Sequence, residues 1–141
     1  MHKDFHVTAD IGITYVGKNY GDDAVKEYLT KYALSFYKLL AEKVKEKGLK
    51  TLEDDFKNVY EKEEWTEYLH SELKEDSLTI KVDKCPAVTF MKSVGHVPSI
   101  WYKETTYTTY GILAKMCNLD FAVNYYHEED GSTEFVFRRK K

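Results

Sequence analysis

Cysteine is scarce in this sequence, and an excess of positive charge is missing. Two cysteines in 141 residues do not make a disulfide framework, which places the chain in a reducing, cytoplasmic compartment. A formal net charge of −3 and an isoelectric point near 6.0 give no general attraction to phosphate backbones, so nucleic acid is not expected as a partner. The short cationic end, Arg138 to Lys141, reads as a solvated tail. Long apolar runs are missing too: the opening "MHKDFH" holds nothing that could act as a signal segment or span a membrane. No phosphate loop, dinucleotide fingerprint or nucleophile elbow is found. No linker, repeat or low-complexity stretch divides the chain, and a single domain over residues 1–141 is expected.

Aromatic residues are plentiful, with 12 Tyr and 7 Phe within a hydrophobic content of 43%. That is enough to bury a core, and so many tyrosines suit a pocket whose walls are apolar in body and polar at the tips.

The first half has helical periodicity. Phe5, Ala9, Ile13, Val16 and Tyr20 recur at steps of three and four, predicting one helix with that face buried. Asp22 and Asp23 suit the start of a second. Its stripe of Val25, Tyr28, Leu29, Tyr32, Phe36, Leu39 and Leu40 runs on to Lys43, Lys45 and Lys47 and stops at Gly48, the order of a cationic last turn and a left-handed cap. This helix is expected to pack on a sheet through Tyr32 and Phe36. Thr51 and Asp54 resemble a capping box for a third helix, with Leu52, Phe56, Val59 and Tyr60 inward.

Near Trp65 the period changes. Leu78, Ile80 and Val82 alternate as in a half-buried strand, with "KEDS" as its turn. Pro86 and Gly95 bracket a fourth helix, and Ile100, Tyr107, Tyr110, Ala114 and Cys117 share a face of a fifth. Phe121, Val123 and Tyr125, a turn at Asp130 and Gly131, then Phe135 and Phe137 make a closing hairpin. The fold class is α+β: three N-terminal helices, then an antiparallel sheet of two hairpins interrupted by two helices.

Chemistry centres on "KVDKCPAVTFMKSVG". With Pro86 as first helical residue, Cys85 falls at the N-cap, where free N–H groups and the helix dipole favour thiolate and lower its pKa modestly; a nearby cation such as Lys84, or a histidine, would lower it further. The competing reading is a small buried hydrophobe at a strand-helix joint. His2, His6 and Asp10 are spaced i, i+4, i+8 along one helix edge but lack the glutamate and third ligand of a zinc pattern, so no metal is expected; no cofactor is called for either. Glu104, beside the inward face of the fifth helix, is a general acid/base candidate, with a surface glutamate as the alternative.

The order "KVDKCPAVTFMKSVG", "PSIWYKETTYTTYGILAKMC", "FAVNYYHEEDGSTEFVFRRK" resembles the L-2-amino-thiazoline-4-carboxylic acid hydrolase family of small bacterial α+β proteins, best over residues 78 to 138. The resemblance implies hydrolysis of a carbon–nitrogen bond in a small heterocycle, with Cys85, Pro86 and Ala87 and the pair Glu104 and Thr105 as matching positions. Where many members have a cysteine just before that pair, this chain has Tyr102 and Lys103. Two readings follow. In one, Cys85 attacks an amidine-like carbon or orients water while Glu104 or His6 moves the proton. In the other, a non-catalytic domain holds a small molecule between tyrosine walls, with Tyr32, Tyr102, Thr105 and Tyr107 as binding candidates. A small-molecule ligand is the expected partner, a membrane is not, and a homodimer is left open.

Overall fold

A computed structural model describes residues 4–141. Six helices and four strands follow in the order α1 (Asp4–Tyr20), α2 (Asp22–Phe36), α3 (Lys38–Lys47), α4 (Leu49–Lys62), β1 (Leu69–Leu73), β2 (Ser77–Val82), α5 (Pro86–Ser93), α6 (Glu104–Met116), β3 (Leu119–Tyr126) and β4 (Thr133–Arg139). The expected second helix is two. Tyr37, at φ −95° and ψ 8°, ends α2 and begins α3, and this bend lets the segments serve different partners.

All strand pairs are antiparallel, in the order β1-β2-β4-β3. The two hairpins are therefore joined through β4, which lies in the interior of the sheet between β2 and β3. Alternation puts Leu78, Ile80 and Val82 of β2 and Phe135 and Phe137 of β4 on one buried face. Helices α4 and α6 cover it, with Leu52, Phe56 and Leu113 completing the core. Burial of side chains this size contributes about 1.5–3 kcal/mol each.

The sheet does not receive α2 through Tyr32 and Phe36, as the apolar stripe predicts. Both are exposed and stack on one another at 5.2 Å. The inward face of α2 is Val25, Leu29 and Ala33, and it packs on α6 and α1. Likewise α1 buries Asp10, Ile13 and Gly17, while Phe5 and Tyr20 are exposed. The N-cap of α4 is Gly48, so Thr51 lies inside that helix. Helix α6 begins only at Glu104, leaving Ile100 exposed.

Glu53 pins α4 to the edge strand. It is 5% exposed, accepts hydrogen bonds from Lys50 Nζ at 3.0 Å and Ser71 Oγ at 2.9 Å, and pairs with Lys57 at 3.4 Å. Burial opposes its ionisation, but the hydrogen bonds from Lys50 and Ser71 and the charge of Lys57 outweigh it and hold Glu53 below the ordinary glutamate value. Its stabilisation is therefore complete above the unfolded-state value of about 4.3 and drains away as pH falls through the lower folded-state value. Chemical denaturation is expected to show stability falling below about pH 4. Glu53→Gln should be less stable at pH 7 and should flatten that part of the profile.

Candidate functional site

The site is built where the tip of the β3–β4 hairpin meets the start of α5. Cys85 takes the N-cap position, with extended φ −77° and ψ 130° and Pro86 opening the helix; its carbonyl accepts from Thr89 N at 3.0 Å. Its own N–H donates to the Asp130 carbonyl at 2.9 Å, and Lys92 donates to the Glu129 carbonyl. Gly131 closes the contact at φ +70°, where a Cβ would stand 2.4 Å from Cys85 Cβ and 3.0 Å from Val88 Cγ2. Glycine is needed there for both conformation and space.

Four tyrosines from separate elements come close enough to feel charge on the thiol: Tyr60 of α4, Tyr102 just before α6, Tyr110 of α6 and Tyr126 of β3. The last arrives through an irregularity. A bulge between Val123 and Tyr125 resets the alternation of β3, so that Tyr125 pairs with Glu134 and Tyr126 with buried Thr133. None of the four hydroxyls is hydrogen-bonded to a described residue, and burial raises the pKa of each. Cys85, Tyr60, Tyr110 and Tyr126 are half-buried, and Tyr102 is buried.

The thiol is not acidified, contrary to the expectation from its cap position. Burial pushes the Cys85 pKa up, the Val88 and Ala87 N–H groups pull it down, and the charges of Glu63 and Asp130 push it up again, with a net rise. Lys84 brings no remedy, because its ammonium lies over the rings of Tyr68 at 4.5 Å and Trp65 at 5.3 Å.

Glu63, at the C-cap of α4, is 5% exposed and lies 3.0 Å from His6 Nε2. Through Glu63, whose charge also acts on the Cys85 thiol, His6 is linked to that region; Glu63 belongs to no sequence motif. His2 lies outside the described residues. Asp10 faces a different set: fully buried, it accepts from His96 Nε2 at 2.8 Å, Ser99 N at 3.0 Å and Ser99 Oγ at 2.8 Å. The helical spacing of His6 and Asp10 therefore serves two separate contacts. No group of three or more metal-ligating side chains occurs among the described residues.

Asp10 anchors the connection between α5 and α6, residues 94–103. Trp101 Nε1 fastens its far end by donating to Asp22 Oδ1 at 2.6 Å. Between this strap and the hairpin lies a cavity of about 230 Å³ whose lining includes Val88, Val97, Ile100, Tyr102 and Tyr126. Of the candidates from sequence, Tyr102 lines the cavity, and exposed Tyr107 lies 6.1 Å from Tyr126 by ring centroids. Glu104 accepts from Thr108 Oγ1 at 2.8 Å, Thr105 Oγ1 donates to the Tyr102 carbonyl at 2.8 Å, and Tyr32 stays on α2 beside Phe36. No described helix is long and apolar enough to cross a membrane. No protein-family model and no curated protein sequence matches the chain.

Proposed function

We propose that this protein binds a small molecule beneath the 94–103 strap, held by the hydroxyls of Tyr60, Tyr102, Tyr110 and Tyr126 around Cys85. The observation that carries this reading is the convergence of four tyrosines on Cys85, two of which, Tyr102 and Tyr126, line the cavity under the strap. These hydroxyls keep some accessible surface, and a ligand with oxygen or nitrogen atoms at the right places can take the hydrogen bonds that water would otherwise supply. The reading makes Cys85 a wall of the pocket, in keeping with a thiol pushed toward its neutral form. Both cysteines are free, which suits a cytoplasmic protein.

The test is the double variant Tyr60→Phe, Tyr110→Phe. Removing hydroxyls that serve a ligand is expected to leave the unliganded protein at least as stable in urea as wild type. It should also abolish the thermal shift that a metabolite library produces in wild type. A variant destabilised by about 2 kcal/mol would show that the hydroxyls hold the fold itself.

A second reading is favoured by the His6–Glu63 pair at 3.0 Å and by the family resemblance at Cys85. Here the protein is a hydrolase of a thiazoline-type carbon–nitrogen bond: His6, oriented by Glu63, takes the Cys85 proton as the sulfur adds to the amidine-like carbon, and returns it to the nitrogen that leaves as the C–N bond breaks. Water then cleaves the new C–S bond and restores the thiol. Cys85→Ser separates the two, because serine keeps the cap and the pocket shape. Turnover of a thiazoline lost with ligand binding retained supports the hydrolase; binding without turnover in wild type supports the binding protein.

A further inference from the structure

A second cavity lies at the other end of the β3–β4 hairpin. It measures about 420 Å³, and Lys45, Gly48, Asn118, Arg139 and Lys140 line it above an apolar floor that includes Leu119. Strand β4 is 7 residues long, so this cavity stands about 20 Å from the Cys85 site and is independent of it.

We infer that this cavity binds a small phosphorylated molecule through Lys45, Arg139 and Lys140. Three cations meet there from two parts of the chain, and no carboxylate is among the residues that line the space. None of the three takes part in an ion pair among the described residues. In a chain with a net charge of −3 and 24 acidic residues, a concavity walled by one sign of charge concentrates the opposite sign inside it. Like charges gathered without a counter-charge repel, and an anion placed between them reverses that cost.

The geometry favours phosphate over a single carboxylate. Arginine offers a planar fork matched to phosphate oxygens, and the lysines add point charges suited to a dianion. Gly48 stands at φ +94° with a Cβ position 3.3 Å from Arg139 Nη2, so the absent side chain leaves the guanidinium room beside the backbone. The volume exceeds that of a bare ion and falls within the range of small-molecule sites, leaving space for an organic body against Leu119.

The test is an NMR titration of the whole chain with sodium pyrophosphate and with ribose 5-phosphate at constant ionic strength, using sodium chloride as the control. Saturating shifts are expected at the amides of Gly48, Leu49, Asn118 and Arg139, with those of Cys85 and Gly131 unmoved. Lys45→Gln and Arg139→Gln change exposed side chains, and each should weaken binding by about tenfold while leaving the melting temperature without ligand unchanged. Shifts that track chloride equally, affinities unaltered in both variants, or no saturation with either phosphate compound would overturn the assignment.

Discussion

Replacing Asp10 with alanine is expected to destabilise the protein by about 3–5 kcal/mol, the largest loss from any single substitution considered. The side chain is fully buried and its two oxygens accept from His96, from the Ser99 N–H and from the Ser99 hydroxyl. Alanine would leave three donors without an acceptor and an empty volume between α1 and the strap. Asp10→Asn retains one carbonyl oxygen, so it should recover part of the loss. Urea denaturation of the two variants measures this order. A second readout is local: with the latch gone, amide exchange at Ser99 and Tyr102 and alkylation of Cys85 should all accelerate under conditions where the rest of the molecule stays folded. Equal stability of Asp10→Ala and wild type would mean the strap is held by the Trp101–Asp22 bond alone.

Gly131→Ala should cost about 3 kcal/mol through two separable effects. Alanine at φ +70° carries left-handed strain of about 1–2 kcal/mol, and its methyl carbon would arrive 2.4 Å from Cys85 Cβ, a clash that only a shift of the hairpin tip or of α5 can relieve. Gly131→Asn distinguishes the two, since asparagine tolerates that backbone conformation while bringing the same Cβ. Comparable destabilisation by alanine and asparagine is expected, because the contact is backbone-anchored on both sides. Much milder destabilisation by asparagine would assign the cost to conformation. Whichever dominates, the Tyr126 side of the cavity should widen, and an affinity for any ligand of the Cys85 site should fall with it.

Periodicity located most elements and misjudged faces. The alternation of Leu78, Ile80 and Val82, and of Phe135 and Phe137, was legible because a strand half-buried by helices enforces a period of two. In α2 the same reasoning chose Tyr32 and Phe36 over Ala33, since large aromatics outweigh a small residue in any hydrophobic stripe. Close helix packing prefers the small one, and Ala33 is fully buried. The bulge between Val123 and Tyr125 exchanges the faces of Tyr125 and Tyr126, a one-residue change with no signal in composition. Pro86 marked the cap position of Cys85 correctly. The direction of its pKa escaped because it depends first on burial and then on the charges of Glu63 and Asp130, all of which arise through tertiary folding. The Asp10, His96 and Ser99 contacts join residues more than eighty positions apart, a separation over which local patterns carry nothing.

Strand order has a bearing on how the molecule assembles. Strand β4 pairs with both β2 and β3, yet it follows every other described element in the direction of synthesis. Until it emerges, β1 and β2 form an isolated hairpin whose inner edge, Ser77–Val82, is unpaired and whose Leu78, Ile80 and Val82 have no cross-strand neighbours from β4. The helices that precede it can collapse early, but the sheet can close only after β4 is available. Sheet closure then requires the insertion of β4 between two waiting neighbours, a non-local step of the kind that slows folding and that leaves the nascent β2 edge exposed to misassembly.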